Sequence, residues 1–208
     1  MRTLLVTGGI GSGKSAVCAC LRERGIPVYD SDAETRRLYD EDPELVPSLE
    51  QKFSMSLRTP DGRLDRKKLA SVIFSDPVRL QQLEAVVHPA VLKDFLAWRD
   101  RYPNVPFVVM ESAVAMDKPL FDGVYDAVLL VTAPEPVRLE RACRRDGADP
   151  EAVRSRMRAQ HFDLARADAV VNNDLDPDTL CRRTEIALKL LSLQPCSADG
   201  CGTDINRL

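Results

Sequence analysis

The chain has 208 residues, of which 44% are hydrophobic and 29% are charged, and its net charge is −3. This length suits one α/β domain with an insertion, or two small lobes. No stretch approaches the roughly 20 apolar residues that a membrane helix needs, and the weakly acidic balance argues against nucleic acid as a partner.

The first predicted element is a strand, Leu4–Thr7, followed at once by a glycine-rich loop. The segment Gly8–Ser15 fits the pattern G-x-x-x-x-G-K-S/T, and a helix is predicted from Lys14 to about Arg24. A strand, a glycine loop and a helix in this order offer main-chain N–H groups and a helix N-terminus to phosphate. Lys14 would reach the β- and γ-phosphates, and the Ser15 hydroxyl would bind Mg²⁺. The motif, a P-loop, therefore predicts binding of a nucleoside triphosphate.

A short second strand, Val28–Tyr29, ends beside two acidic residues, Asp30 and Asp32. Ligands of parallel α/β sheets bind at the carboxyl ends of the strands, so these carboxylates are expected near the γ-phosphate. Either could accept a proton from an attacking hydroxyl or hold a water on Mg²⁺. The alternative is structural: Ser31 begins an S-x-x-E capping box, and Asp32 would favour the helix N-terminus as an anion.

Residues 35–100 contain no convincing strand and show helical spacing, interrupted by a predicted turn at Pro60-Asp61-Gly62. This stretch is too long for a simple crossover between strands. We predict that it is a helical insertion between strands two and three.

Strand three is predicted at Phe107–Met110, and Glu111 follows it directly. Its carboxylate could act as an outer-shell acid on the metal, or it could be a helix-capping or surface acid. Both interpretations stay open at this stage.

Strand four, Ala127–Thr132, precedes two predicted helices joined by residues 146–150. The first of these helices carries a basic stripe of Arg138, Arg141, Arg144 and Arg145, and the second carries Arg154, Arg156 and Arg158. Such a stripe is often a solvated face, but guanidinium groups that close over phosphate neutralise developing charge and exclude water. We expect a mobile lid here, with Arg141 as its best catalytic candidate.

Strand five, Ala169–Val171, and a last helix near Pro177–Leu193 complete the predicted core. The apolar face of that helix is expected to consist of Leu180, Ile186, Ala187, Leu190 and Leu191. Strands alternate with helices along the chain, which predicts a five-stranded parallel sheet in a three-layer α/β fold. Residues 195–208 are expected to be disordered.

Six cysteines are many for this length, but the chain has only two histidines, so a zinc site is not expected. Cys18 and Cys20 lie two residues apart on a helix and point to different faces, which excludes pairing with each other. Cys143 and Cys181 are expected to be half-buried apolar residues. We predict a reduced, cytoplasmic protein.

Several ordered motifs between residue 3 and about 174 carry a resemblance to a known family. They are Thr7–Ser15, Asp30–Asp32, Gly62–Arg66 with Leu69 and Phe74, Leu83–Glu84 with His88–Pro89, Arg141 with Arg144–Asp146, Arg156–Gln160, and Ala167–Asn173. Together they resemble the dephospho-coenzyme A kinase family, which is P-loop and nucleoside-monophosphate-kinase-like. Two departures are Ala16, where Thr is common, and residues 111–117, which read ESAVAMD where D-x-P-L-L-F-E is usual.

The resemblance implies transfer of the ATP γ-phosphoryl group to the ribose 3′-hydroxyl of dephospho-coenzyme A, the last step of coenzyme A synthesis. It implies an ATP-binding core (1–32 and 104–194), a helical acceptor lobe (33–103) and a lid (138–162). Asp32 would orient the hydroxyl, Lys14 and Arg141 would stabilise transferring charge, and Asn173 would lie near adenine. The residues implied to line the phosphates are Gly11, Ser12, Gly13, Lys14, Ser15 and Ala16, with Ser15 also holding Mg²⁺.

Three other interpretations remain. A kinase for another small acceptor, such as a nucleoside monophosphate or a shikimate-like alcohol, is disfavoured by the long insertion with Asp65–Arg66 and His88–Pro89. A GTPase-type switch is disfavoured because the sequence has no N-K-x-D motif after a strand. An inactive relative stays open because of the altered 111–117 segment.

Overall fold

The computed structural model describes residues 1–73, 76–160 and 162–193. The predictions for Phe74, His161 and the tail 195–208, including Cys196 and Cys201, lie outside these residues. The chain divides into two compact units: a larger unit of residues 1–29 with residue 102 onward, and a smaller unit of residues 30–101.

A five-stranded parallel sheet forms the centre of the larger unit. Its strands are β1 (Arg2–Thr7), β2 (Val28–Asp30), β3 (Phe107–Glu111), β4 (Ala127–Thr132) and β5 (Ala169–Asn172). They lie in the order β2-β3-β1-β4-β5, and the recorded pairings of β1 with β3, β1 with β4 and β4 with β5 are all parallel. All five predicted strands are confirmed to within two residues at either end, because buried apolar runs are typical of parallel sheets.

Helices surround this sheet and make up most of the smaller unit. In the larger unit they are α1 (Lys14–Arg22), α6 (Glu135–Asp146), α7 (Pro150–Arg158) and α8 (Pro177–Leu190). In the smaller unit they are α2 (Ser31–Glu41), α3 (Leu45–Phe53), α4 (Arg66–Ile73) and α5 (Pro77–Arg99). Among the residues described, no helix combines the length and apolar character needed to cross a bilayer.

The buried face of α8 differs in part from the predicted one. Leu180, Thr184, Ala187 and Leu188 are buried, whereas Ile186 and Leu190 are 58% and 77% exposed. The prediction was wrong for those two residues because a helix advances 100° per residue. Positions 180, 184, 187 and 188 share one face of the helix, and positions 186 and 190 fall outside it.

The N-terminus of α2 is capped one residue earlier than predicted. The Asp30 carboxylate accepts hydrogen bonds from the N–H groups of Asp32 and Ala33, at 3.1 and 3.0 Å. Ser31 is therefore the first helical residue and not the cap. The capping box predicted from Ser31 was wrong because the extended backbone of Asp30 lets a better acceptor reach both amides.

A disulfide joins Cys20 on α1 to Cys181 on α8, with the two Cα atoms 5.7 Å apart. Arg24, two residues after the end of α1, forms an ion pair with Glu185 of α8. The expectations of a half-buried apolar Cys181 and of a fully reduced protein were therefore wrong. Partners 161 residues apart in sequence come together only through the packing of α1 on α8, which cysteine spacing cannot reveal. Cys18 and Cys143 remain thiols.

Candidate active site

Polar residues gather at the carboxyl ends of the central strands, where the P-loop leaves β1. Glu111, the last residue of β3, lies in register with Val6 of β1. Asn173 follows β5 directly, and its N–H donates to the carbonyl of Thr132 at the end of β4, at 2.7 Å. The sheet therefore brings residues from three distant parts of the chain to one edge, as expected for a ligand site in this architecture.

Two glycines of the P-loop are required by close contacts within the protein. Gly11 and Gly13 have φ of +74° and +96°, which other residues rarely adopt. A Cβ on Gly11 would lie 2.2 Å from the carbonyl oxygen of Arg138, and one on Gly13 would lie 1.9 Å from Nδ2 of Asn173. The sequence motif suggested that glycine is needed at these positions to let phosphate approach. In the structure, α6 and the residue after β5 also leave no room for a side chain there.

Lys14 and the N-terminus of α1 form the positive part of the loop. The Lys14 ammonium donates to the carbonyl of Gly8 at 2.9 Å, which holds it against the loop. Gly13 is the N-cap of α1, and no side chain among the described residues caps that helix. The N-terminus of a helix carries a partial positive charge, so this end of α1 is suited to an anion.

The side-chain oxygens of Ser15 and Glu111 meet beside the loop. The exposed Ser15 donates its hydroxyl to Oε1 of Glu111 at 2.9 Å. Glu111 is only 7% exposed, and its Oε2 has no hydrogen-bond partner among the described residues. Glu111 is thus neither a surface acid nor a helix cap, and its second carboxylate oxygen is available to a cation.

Asn173 contacts the loop directly, and Arg141 contacts Asn173. The Asn173 amide donates to the carbonyl of Ser12 at 2.9 Å, and its own main-chain carbonyl accepts from Arg141 at 3.0 Å. The N–H of Ser12 donates to Gly9, and the Ser12 side chain is buried. Asn173 and Ser12 therefore contact each other, and Arg141 is the one member of the predicted stripe that contacts Asn173. Arg144 and Arg145 are exposed and lie beside Glu140 and Asp146.

Arg138 of the basic stripe and Gln160 of the 156–160 motif, for which the sequence predicted no individual role, also contact the loop. Nε of Arg138 donates to the carbonyl of Ile10 at 2.9 Å, and Oε1 of Gln160 accepts from the Ile10 N–H at 2.8 Å. Burial lowers the pKa of the Arg138 guanidinium, against the opposite effect of Glu135. Both residues stood within noted motifs, but nothing in their spacing indicated contact with residue 10.

Asp32, the predicted hydroxyl-orienting acid, belongs to the smaller unit. It is exposed at the second position of α2. The carboxylate of its neighbour Asp30 is engaged as the helix cap. Of the two acids, Asp32 is therefore the one whose side chain does not serve as the cap.

The smaller unit contains a cavity of about 600 Å³ between α2, α3 and the turn at 58–64. Acidic and basic side chains line it together, including Asp40, Arg58 and Arg63. Burial also raises the pKa of Tyr39, on its wall, to about 12. A cavity of this size is within the range that holds small organic ligands.

Comparison with known proteins places this arrangement in a family. The dephospho-CoA kinase family profile matches residues 3–178. The chain belongs to the dephospho-CoA kinase family. The dephospho-CoA kinase of Porphyromonas gingivalis is 40% identical over 169 residues, which cover 81% of this chain and 82% of that protein. That of Anaeromyxobacter dehalogenans is 36% identical over 193 residues, covering 89% and 90%.

Solved structures agree with the fold. The crystal structure of TT1252 from Thermus thermophilus matches with a TM-score of 0.79 and 36% identity, covering 93% of this chain and 98% of that chain. Dephospho-CoA kinase from Campylobacter jejuni matches with a TM-score of 0.56 and 21% identity, over 91% and 97% of the two chains. At that identity the second match bears on the fold alone, and the P-loop kinase fold predicted from sequence is confirmed.

Proposed function

We infer that this protein phosphorylates dephospho-coenzyme A with ATP, the last step of coenzyme A synthesis. The observation that carries this inference is the P-loop edge of the sheet, in a chain whose family membership spans residues 3–178. Phosphoryl transfer needs little covalent chemistry from a protein, so catalysis rests on positioning and on stabilising charge. The proposal is that residues at this edge of the sheet do both.

The triphosphate would lie along the P-loop and the N-terminus of α1. Lys14 would leave the Gly8 carbonyl for the β- and γ-phosphates, a short movement for a flexible side chain. Arg141, whose guanidinium bonds the main chain of Asn173, would add positive charge as the γ-phosphoryl group transfers. Preorganised donors of this kind cost little reorganisation at the moment of reaction. Asn173 supports the loop through Ser12 and, as a proposal from the resemblance, lies near adenine.

The residues beside the loop suit Mg²⁺. Ser15 and Glu111 bring together a hydroxyl and a buried carboxylate with one unpartnered oxygen. Mg²⁺ in kinase sites prefers such oxygen ligands and completes its shell with water and phosphate. When bound, the ion would neutralise charge on the β- and γ-phosphates. Ser15 would be its direct ligand, and Glu111 would orient Ser15 or a water. The side chain of Glu111 is one methylene longer than that of the Asp that is usual at this position. Glu111 could therefore take this role although residues 111–117 differ from the family pattern.

Asp32 is proposed to orient the acceptor hydroxyl. It is an exposed carboxylate whose neighbour Asp30 already serves as the helix cap, and it stands in the family's D-x-D motif. Because the transition state of phosphoryl transfer is loose, the acid needs to orient the hydroxyl more than to remove its proton early. We propose further that the smaller unit binds the acceptor, and that its cavity with Arg58 and Arg63 is a candidate for part of that site.

A coupled ADP-release assay tests the function. Purified protein, ATP and Mg²⁺ are combined with dephospho-coenzyme A, AMP, adenosine or shikimate, and each rate is compared with a sample that lacks acceptor. We expect dephospho-coenzyme A to stimulate ADP release at least a hundredfold more than the other acceptors, and mass spectrometry to show one added phosphate. Equal stimulation by AMP or shikimate would favour the alternative small-acceptor kinase, and no stimulation by any acceptor would favour the inactive relative.

A further inference from the structure

Helices α6 and α7 with the residues that join and follow them (residues 135–160), called here the α6–α7 hairpin, hold the tip of the P-loop in addition to the loop's own main-chain hydrogen bonds. Ile10, the central variable residue of the loop, has both of its main-chain polar groups bonded to side chains. Arg138 of α6 donates to its carbonyl at 2.9 Å, and Gln160, two residues after α7, accepts from its N–H at 2.8 Å. Backbone groups that are fixed on both sides cannot rotate freely, so the hairpin sets the peptide planes around residue 10.

The Ile10 side chain is held by the same hairpin. It packs on a small core formed by buried residues of α6 and α7, namely Ala142, Val153 and Met157. This core is separate from the main core under the sheet. The apolar contact and the two hydrogen bonds thus join the loop tip to one structural element.

The glycines on either side of Ile10 allow this close approach. A Cβ on Gly9 would lie 2.2 Å from Nη2 of Arg138, and one on Gly11 would lie 2.2 Å from the Arg138 carbonyl oxygen. Arg138 therefore covers the loop tip with both its side chain and its main chain. Any residue other than glycine at position 11 would push the main chain of α6 away from the loop, whereas one at position 9 would displace the Arg138 guanidinium.

We propose that Arg138 and Gln160 are positioning residues for ATP, which act through Ile10 to hold the P-loop amides in their phosphate-binding arrangement. The proposal rests on the proposed function, because it assigns these residues to the ATP side of the same reaction. The α6–α7 hairpin is then a fixed support of the loop tip at its Ile10 end, and any closing movement must be confined to the rest of the hairpin. Loss of either contact loosens the loop and weakens ATP binding, without effect on the acceptor.

The first test is Gln160→Leu, which keeps a side chain of comparable bulk but removes the acceptor. Leaving a main-chain N–H without a hydrogen-bond partner costs free energy. For an equilibrium that depends on this group, the cost corresponds to a change of about tenfold or more in the equilibrium constant. We expect the KM for ATP and the Kd for Mg-ATP, measured by calorimetry without acceptor, to rise about tenfold. The KM for dephospho-coenzyme A should change less than twofold. Ser155→Ala, a neutral change at an exposed residue of α7, is the matched control and should behave as wild type.

A second pair of variants covers the case in which Gln160→Leu does not fold. Ile10→Ala removes the apolar anchor, whereas Ile10→Val keeps most of it. We expect Ile10→Ala to raise the KM for ATP about tenfold. The KM of Ile10→Val for ATP should stay within threefold of wild type. A purely structural role would instead lower kcat through loss of folded protein and leave both KM values unchanged.

The outcomes separate this proposal from the proposed function. If wild type binds Mg-ATP and phosphorylates dephospho-coenzyme A, while Gln160→Leu and Ile10→Ala keep wild-type KM values for ATP, the positioning role is overturned and the function stands. If wild type binds Mg-ATP but does not phosphorylate dephospho-coenzyme A, the function fails, and the calorimetric comparison of the variants still decides the positioning role. Equal rises in the KM values of both substrates would also overturn the proposal.

Discussion

The two units of this protein are stabilised by different kinds of contact. In the larger unit a buried parallel sheet carries the P-loop, a disulfide joins α1 to α8, and uncharged main-chain groups of the loop are bonded by Asn173, Arg138 and Gln160. In the smaller unit Arg37 of α2 forms ion pairs with Glu34, Glu41 and Asp94, the last of them on α5. These carboxylates raise the pKa of Arg37 above its ordinary value.

This difference matters for function. Binding of phosphate by main-chain N–H groups requires a rigid loop, and several hydrogen bonds to the main chain of the loop give it rigidity. Partly exposed ion pairs contribute little net stability and depend on salt and pH. We therefore expect changes at the loop and at the disulfide to have large effects, and changes to the ion pairs of the smaller unit and the hairpin to have small ones.

The largest effect is expected from Lys14→Ala. Removal of the ammonium proposed to donate to the transferring group should lower kcat/KM by about 10³-fold in the ADP-release assay. Lys189→Ala, at an exposed position of α8, removes the same charge away from the loop and should leave kcat/KM within twofold of wild type. An active Lys14→Ala enzyme would remove the P-loop from the mechanism.

The next effect concerns the disulfide. Reduction should lower the Tm by about 5–10 °C, because a bridge that closes a long loop typically stabilises by about 3 kcal/mol. The comparison is a thermal melt with and without dithiothreitol. Cys181→Ser should melt near the reduced wild type and should not respond to the reductant. Cys143→Ser, which changes a free thiol, should keep the response. The same Tm for oxidised and reduced wild type would show that the bridge does not stabilise the fold.

Asp32→Asn should lower kcat by about 10²-fold or more while the Kd for Mg-ATP changes little, because the residue is proposed to orient the acceptor and not the nucleotide. Asp178→Asn is a close control, since Asp178 is also an exposed acid at the second position of a helix, α8. Both changes lose the same favourable interaction with a helix N-terminus. If Asp178→Asn lowers kcat as much as Asp32→Asn does, the effect of Asp32→Asn comes from the helix and not from the reaction.

In the smaller unit Arg37→Ala should lower the Tm by about 2–4 °C, which corresponds to about 1 kcal/mol for partly exposed pairs. Hydrogen exchange should become faster in α2 and α5 and stay unchanged in α1. Arg36→Ala, at an exposed neighbouring position of the same helix, should change neither. Faster exchange in α1 as well would mean that the ion pairs stabilise more than their own unit.

The smallest effect is expected at Asp146, where the α6–α7 hairpin carries a surface ion pair. Hydrogen bonds from Arg145, and then from Arg156, lower the pKa of Asp146 to about 2. A carboxylate with a lowered pKa stabilises the folded state above its ordinary pKa and loses that contribution as the pH falls through the lowered value. Asp146→Asn should therefore lower the Tm by 1–2 °C, an order-of-magnitude figure for an exposed pair, at pH 7. The difference from wild type should shrink by about half near pH 3. A difference that does not depend on pH would exclude the ion pair as its cause.

Much of the fold and part of the candidate site could be predicted from local patterns. The strands follow from short apolar runs, and the P-loop follows from glycine spacing directly after β1. Lys14 and Ser15 are identified by that spacing alone, and the family by the order of the motifs. Helix details were less predictable: Asp30 replaced Ser31 as the cap of α2, and Ile186 lies outside the buried face of α8.

Contacts between distant segments could not be predicted in this way. The contacts of Arg138 and Gln160 with Ile10, the bond from Asn173 to Ser12 and the Cys20–Cys181 bridge each join residues more than 120 positions apart. Such pairs depend on how helices pack on the sheet, and the periodicity of a single helix contains no information about its neighbour. The chain's local chemistry was thus sufficient for the phosphate-binding loop and the family, whereas packing alone decided which side chains hold that loop in place.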